Sequence, residues 1–249
     1  MFNLDGKVAV VTGVGPAMGR HFALALAQAG ADVCVSARSR TTIDSVAAEI
    51  EAMGRRAIAV TADATNSRDV DGLVQEAVDK LGRLDIMVNH AGSGIPRTPL
   101  TEITDEGWDG ALRQALSSVM YGSRAAARVM IEQGEGGSII NTSSIVSVST
   151  MPGNMLSYST AKAAVNHFTR YAASELAPHN IRVNAILPGF FEGAPVPPEI
   201  LAWLEANTPM PRPSRTDEPA PALLFLASDA SSYVTGEMLR VSGGGFVTG

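Results

Sequence analysis

The sequence predicts an α/β fold: a three-layer, doubly wound parallel sheet of about seven strands with helices on both faces. Three observations point there. Short apolar runs rich in Val, Ile and Ala alternate with longer stretches of helical period. The first run passes at once through a glycine-containing turn into a helix. No linker, repeat or composition shift divides the 249 residues, so a single domain over 1–249 accounts for the chain.

Taken in order, Lys7–Thr12 is an apolar first strand, and the turn after it leads to a helix over Met18–Ala29. Ala31–Ala37 is the second strand, Thr42–Met53 a helix that stops at Gly54, Ala57–Thr61 the third strand and Ser67–Lys80 a helix. Leu84–Asn89 is the fourth strand, followed by a loop and one long helical stretch from Trp108 to Ile131. Gly137–Thr142, Ile181–Leu187 and Glu237–Val241 complete the strands, with helices at Tyr158–Leu176 and Asp217–Ala227 between them. Only Glu192–Thr216 departs from the alternation: it is Pro-rich and irregular, with room for a short helix at Pro198–Ala206. It follows a strand's carboxyl end, where open α/β sheets bind ligands, so it is expected to be a substrate lid.

Composition narrows the function classes. Hydrophobic residues make up 45% and charged residues 18%, the balance of a soluble globular chain. The formal net charge is −6 and the Lys and Arg are scattered, which argues against nucleic acid or an anionic membrane surface as partner. No window of about 18 uninterrupted apolar residues offers a membrane span, and no signal peptide is expected, so a cytoplasmic enzyme fits. The single cysteine, Cys34, excludes an intrachain disulfide and any multi-cysteine metal cluster, and its apolar run marks it as a buried strand residue. His21, His167 and His179 have no partners at metal-ligand spacing, so no metal is expected.

The chemistry is carried by five places. Thr12-Gly13-Val14-Gly15-Pro16-Ala17-Met18-Gly19 joins the first strand to the first helix. Glycines there let the backbone turn sharply toward a pyrophosphate, and the helix N-terminus offers free N–H groups and a positive dipole end. Asp63 and Ala64, after the third strand, stand where an adenine ring would lie, and Asn89-His90-Ala91-Gly92 closes the fourth strand where a dinucleotide would cross. Tyr158-Ser159-Thr160-Ala161-Lys162 puts a phenol and an ammonium four residues apart on one helical face. A phenol is a poor base near neutrality, and a nearby cation favours its ionised form. Ser144, shortly after the fifth strand, adds a hydroxyl.

The ordered set resembles the short-chain dehydrogenase/reductase family, with its TGxxxGxG turn and NNAG motif. The resemblance continues through Val183-Asn184-Ala185-Ile186-Leu187-Pro188-Gly189, Thr235-Gly236 and Val241-Ser242-Gly243-Gly244, and so spans nearly the whole chain. It implies a Rossmann-type domain that moves hydride between a nicotinamide dinucleotide and a small carbonyl or alcohol substrate. It further implies that the Ser144 hydroxyl orients the carbonyl, with Ser143 the runner-up for that role. Tyr158 then passes the proton, and Lys162 holds the nicotinamide ribose and lowers the tyrosine's pKa. Nucleotide contacts are expected from Gly13, Gly15, Met18, Gly19, Arg38, Asp63, Ala64, Asn89, Ala91, Gly92, Tyr158, Lys162, Pro188, Gly189 and Phe191. A homo-oligomer, dimer or tetramer, is implied by the resemblance alone.

Several positions depart from the family pattern. Ala17 stands at the middle glycine, His90 at the second asparagine, and Gly193 where a threonine is frequent. The interval from Ser144 to Tyr158 is one residue longer than usual. Seven residues after Trp108, where many members carry an asparagine that supports a water chain to the lysine, this chain has Ala115. Ser118, almost one turn later, is the candidate replacement, and a weakened or rerouted proton relay is expected.

The second strand ends Ala37-Arg38-Ser39-Arg40 with no carboxylate before Asp44. A carboxylate there would bind a ribose 2′-hydroxyl, whereas a guanidinium suits a 2′-phosphate, so NADP(H) is expected to be preferred over NAD(H). Met151, Met155, Phe190 and Phe191 flank the reacting groups as core or as an apolar substrate pocket. Two rival readings are a nucleotide-binding regulatory or scaffolding protein with decayed chemistry, to which Ala17, Ala115 and Gly193 would point, and an isomerase or dehydratase of the same fold.

Overall fold

The computed structural model describes residues 2–92, 96–194 and 197–245. Seven strands form one parallel sheet: β1 (Val8–Thr12), β2 (Asp32–Ala37), β3 (Ala57–Thr61), β4 (Ile86–Asn89), β5 (Gly137–Thr142), β6 (Ile181–Pro188) and β7 (Met238–Val241). Their spatial order is β3-β2-β1-β4-β5-β6-β7. The order reverses between β1 and β4, and it is outside the carboxyl ends of the strands at such a switch that open sheets leave a crevice.

The helices are α1 (Met18–Gln28), α2 (Arg40–Ala52), α3 (Ser67–Leu81), α4 (Asp105–Leu112), α5 (Ser118–Gln133), α6 (Leu156–Leu176), α7 (Pro198–Asn207) and α8 (Ala220–Ala227). Both faces of the sheet are covered, so β1 is buried along its whole length and reads as a continuous apolar run rather than an alternating one. Ala9, Val11, Val33 and Val35 pack toward α1, α2 and α8, together with Phe22, Leu26, Ile43, Ile50 and Leu223. Val10, Cys34, Met87, Ile139 and Val183 pack on the other face with Leu73, Ala126 and Met130. Each large side chain buried in this way contributes about 1.5–3 kcal/mol. Cys34 is fully buried, and burial pushes its thiol pKa up, as befits a packing residue.

The strands' starting ends are tied by carboxylates. Asp85 accepts from the Val8 N–H at 2.9 Å and from Arg83 at 2.6 and 2.7 Å. Asp32 accepts from the Arg56 N–H at 3.0 Å and from its guanidinium at 2.7 Å. These networks hold the end of the sheet away from the crevice.

Two expectations change on folding. The single stretch Trp108–Ile131 begins earlier, at Asp105, where the Thr104 hydroxyl accepts from the Gly107 N–H at 3.1 Å and caps the helix. It is also broken by a π-helical turn over Arg113–Ser117. The last helix begins at Ala220 rather than Asp217, with Pro219 at its N-cap, because proline fits a helix only at its first turn.

The segment after β6 leaves the sheet and returns to it. Glu192 donates to the Ser214 carbonyl and Ser214 to the Phe190 carbonyl, each at 2.8 Å, so the two ends of the excursion are pinned side by side. Its helix, α7, lies within it as expected; residues 195 and 196 of the expected lid lie outside the described residues.

Candidate active site

Thr12 opens the crevice. Its hydroxyl donates to the Val88 carbonyl at 3.3 Å and accepts from the His90 and Ala91 N–H groups at 3.1 and 3.4 Å, which ties the end of β1 to the end of β4 at the switch. The resulting cleft has a volume of about 770 Å³. It is lined on one side by Gly13 to Gly19, Arg38, Asp63, Ala64, Ala91 and Gly92, and on the other by Ser143, Ser144, Tyr158, Lys162, Pro188, Gly189 and Phe191. Every nucleotide-contact position expected from sequence therefore borders one cleft, except Asn89.

Asn89 is buried behind the cleft wall, with its amide donating to Ser123 Oγ at 3.0 Å and Asn141 Oδ1 at 2.9 Å. It ties β4 to α5 and β5. The strand's alternation sends its side chain into the layer between sheet and helix, and the cleft is left to His90 and Ala91.

The turn has no room for side chains at two of its glycines. Gly13 has φ +70°, and a Cβ there would lie 2.7 Å from Ala91 Cα. A Cβ on Gly19 would lie 2.8 Å from the Gly13 carbonyl oxygen and 3.1 Å from His90. Gly15 has open space around it, so its lack of a side chain is not demanded by packing. Ala17, at the α1 N-cap, has φ −94° and needs no left-handed backbone. The N-terminal end of α1 borders the cleft and brings unpaired N–H groups and the positive end of the helix dipole to it. This arrangement fits a pyrophosphate.

Beside the turn, Arg38 borders the cleft together with Ser39 and Thr42 at the start of α2, and the two hydroxyls lie 3.3 Å apart. Ser39 is the α2 N-cap, yet its side chain makes no capping bond. Sequence reasoning passed over this serine and threonine, although a hydroxyl at a helix start after a strand is a readable signal. Arg40 is occupied by Asp44 at 2.8 Å, so Arg38 is the arginine of the pair that borders the cleft. Asp63 is held below the usual carboxylate range, first by the Thr65 backbone N–H and also by the Arg38 charge.

The candidate reacting groups converge from two elements, the end of β5 and α6. Ser144, just after β5, caps a short 3-10 turn by accepting from the Val146 N–H at 3.4 Å, and its hydroxyl acts on the Tyr158 pKa. Ser143 is committed elsewhere: buried, its hydroxyl donates to the Lys162 carbonyl at 3.0 Å. Tyr158 and Lys162 share one face of α6, with Lys162 Nζ 5.7 Å from the phenol ring centre. Lys162 is 1% exposed, and burial lowers its pKa to about 8 while it donates to the Thr142 carbonyl at 2.6 Å. Burial raises the Tyr158 pKa, opposed by the Ser144 hydrogen bond. Desolvation of the phenolate thus leads the shift, and the lowering expected from Lys162 is not among its causes.

His90 lies under the turn, its ring edge-on to Phe22 at 5.1 Å and Nδ1 3.1 Å from Thr142 Oγ1. Burial, and then the Lys162 charge, lowers its pKa to about 4, so the imidazole is neutral near pH 7. The substitute offered by sequence for the missing asparagine, Ser118, donates its hydroxyl to the Gln114 carbonyl at 2.7 Å. Ala115 itself is completely buried. The π turn brings Arg113 and Gln114 to the cleft edge, a placement for which the sequence carries no signal.

Comparison with known proteins agrees with this geometry. Residues 13–245 match the family described as enoyl-(acyl carrier protein) reductase. The 3-oxoacyl-[acyl-carrier-protein] reductase of Thermotoga maritima is 36% identical over 97% of this chain and 98% of its own length. A short-chain type dehydrogenase/reductase from Mycobacterium marinum superposes with a TM-score of 0.93 at 37% identity, covering 98% of this chain and 96% of the other. A 7α-hydroxysteroid dehydrogenase solved with NADH and 7-oxo glycochenodeoxycholic acid superposes with a TM-score of 0.92 at 36% identity over 98% and 96%. No helix among the described residues is long and apolar enough to cross a membrane, and no group of metal-ligating side chains is found among them.

Proposed function

The chain belongs to the short-chain dehydrogenase/reductase family, and on that premise we propose that it works with NADP(H) in preference to NAD(H) and through Ser144, Tyr158 and Lys162. Its class of reaction is hydride transfer between a nicotinamide cofactor and a ketone or secondary alcohol. The observation that carries the assignment of residues is that one cleft is bordered both by the glycine turn and by Ser144, Tyr158 and Lys162, with the Ser144 hydroxyl near enough to Tyr158 to act on its pKa.

Gly13, Gly19 and the α1 N-terminus would hold the pyrophosphate, Asp63 and Ala64 the adenine, and Arg38 with Ser39 and Thr42 a 2′-phosphate. When bound, the cofactor supplies or accepts the hydride. A ketone oxygen between the Ser144 and Tyr158 hydroxyls accepts a hydrogen bond from each. Negative charge grows on that oxygen during reduction, and Tyr158 delivers its proton there; in oxidation the same proton returns to it. Lys162, cationic at neutral pH, stabilises the phenolate left behind. Phe191 and the pinned 192–216 excursion, acting as a lid, exclude water from the reacting atoms. We further assign the chain one Rossmann-type domain, a homo-oligomeric state and a cytoplasmic location, on the family resemblance and the lack of a membrane-spanning helix among the described residues.

The test is a parallel titration with NADPH and NADH, followed by a screen of ketones. NADPH is expected to bind more tightly. Arg38→Ala lowers NADPH affinity about tenfold, the worth of one charge-assisted contact at an exposed site, and leaves NADH affinity almost unchanged. Tyr158→Phe lowers kcat by about 10²–10⁴ with cofactor binding retained. Equal affinity for the two cofactors would sink the Arg38 assignment; full turnover by Tyr158→Phe would sink that of the tyrosine.

A further inference from the structure

Three arginines carry a buried side-chain nitrogen with no hydrogen-bond partner: Arg55, Arg97 and Arg124. Arg55 pairs with Asp32 at 3.2 Å, and Arg124 donates to Ser67 at 2.8 Å. Arg97 alone of the three makes no ion pair or hydrogen bond among the described residues. A half-buried guanidinium with an unpaired N–H carries a desolvation cost that no described residue offsets. Such a group persists where a ligand completes it.

Its place in the fold says which ligand. Arg97 follows β4 on the loop beyond Gly92, on the carboxyl side of the sheet. Thr98 donates to the Asn154 carbonyl at 3.0 Å, so this loop lies on the connection that leads into Tyr158. A Cβ built on Gly153 would lie 3.6 Å from Arg97 Nη1 and 2.9 Å from Ile200 Cδ1 of α7. The guanidinium therefore stands where three elements meet: the loop after β4, the loop before the catalytic tyrosine, and the helix of the lid excursion. The junction lies beyond the residues that line the cleft and is joined to Tyr158 by the short connection from Gly153, so a substrate with its carbonyl at Tyr158 would meet it only with an extended remote end.

We propose that Arg97 is the binding point for a carboxylate on the substrate, so that the enzyme acts on oxo acids or hydroxy acids rather than neutral ketones. One guanidinium balances one carboxylate in charge, and its planar fork matches the two oxygens. Anchoring the remote end would also fix the carbonyl over the reacting groups, which is how contacts away from the chemistry contribute to rate. The proposal rests on the reading of the cleft as a carbonyl-reducing site, and the test separates the two.

The probes are acetoacetate, levulinate and a longer-chain oxo acid, each paired with its methyl ester, which differs only in lacking the charge. Binding to the NADPH-loaded protein is measured by calorimetry, and turnover by NADPH oxidation, for the natural chain, Arg97→Gln and Arg97→Lys. At least one acid is expected to bind more tightly than its ester. In Arg97→Gln the acid-to-ester ratio of kcat/KM falls about tenfold or more, through KM, while Arg97→Lys keeps part of the preference. Undiminished NADPH affinity shows that the variants are folded. Acids that bind no better than esters, absence of binding included, overturn the proposal. So does a loss shared equally by acid and ester, which would make Arg97 a structural tie between loop and lid. Selective acid binding that Arg97→Gln abolishes, without reduction of any ketone, would leave the carboxylate site standing and remove the proposed reaction instead.

Discussion

His90 makes the protein's stability depend on acidity in a calculable way. The imidazole is held under Phe22 and beside Thr142, with the Lys162 ammonium as its charged neighbour, and its pKa is lowered from 6.5 to about 4. In the folded chain it therefore takes up a proton less readily than in the unfolded chain. Stability from this source is complete above pH 6.5 and is lost as the pH falls toward 4. At about 1.4 kcal/mol for each pH unit, the loss reaches about 2 kcal/mol at pH 5 and about 3 kcal/mol at pH 4. His90→Asn removes the titrating group and keeps a side chain able to hydrogen-bond Thr142. Urea unfolding of both proteins, without cofactor, between pH 7 and 4.5 reads the difference. The variant should gain on the natural protein as acid is added, by about 2 kcal/mol at pH 5 relative to pH 7. A stability difference that stays constant over this range would show that His90 carries its proton freely in the folded state, and would refute the account of its burial.

Two further outcomes follow from packing. Ala115→Asn places an amide in a completely buried position, so it should destabilise the protein by about 1–3 kcal/mol, seen as a lower thermal midpoint, and bring no increase in kcat. Gly13→Ala forces a methyl group to 2.7 Å from Ala91 Cα at φ +70°, which should cost about 2 kcal/mol or more in urea unfolding and abolish NADPH binding in titration.

How much of this was legible beforehand can be followed in particular residues. The β5 strand has the expected bounds, Gly137–Thr142, set between the Gly134-Glu135-Gly136 turn and the Ser143-Ser144 pair. The π turn at Arg113–Ser117 was not legible, since a helical period of apolar residues is compatible with one extra residue in a turn. Ser39 and Thr42 were missed because they read as ordinary helix-start residues, and only the sheet order carries that start to the cleft. Asn89 illustrates the reverse: its motif is readable, yet the strand's alternation turns its amide inward to Ser123 and Asn141.

The sequence by itself determined the class of fold, the glycine turn and the Ser144, Tyr158 and Lys162 set, because each depends on spacing within a strand, a turn or a helix. The tertiary structure alone decided what those groups experience. Lys162 is desolvated against the Thr142 carbonyl, the Tyr158 pKa is raised by burial, and His90 is kept neutral. It also left Arg97 without a partner among the described residues, between two loops and the lid helix. These are effects of dielectric and of contacts between residues distant in the chain, and no local pattern encodes which groups will be shut away from water together.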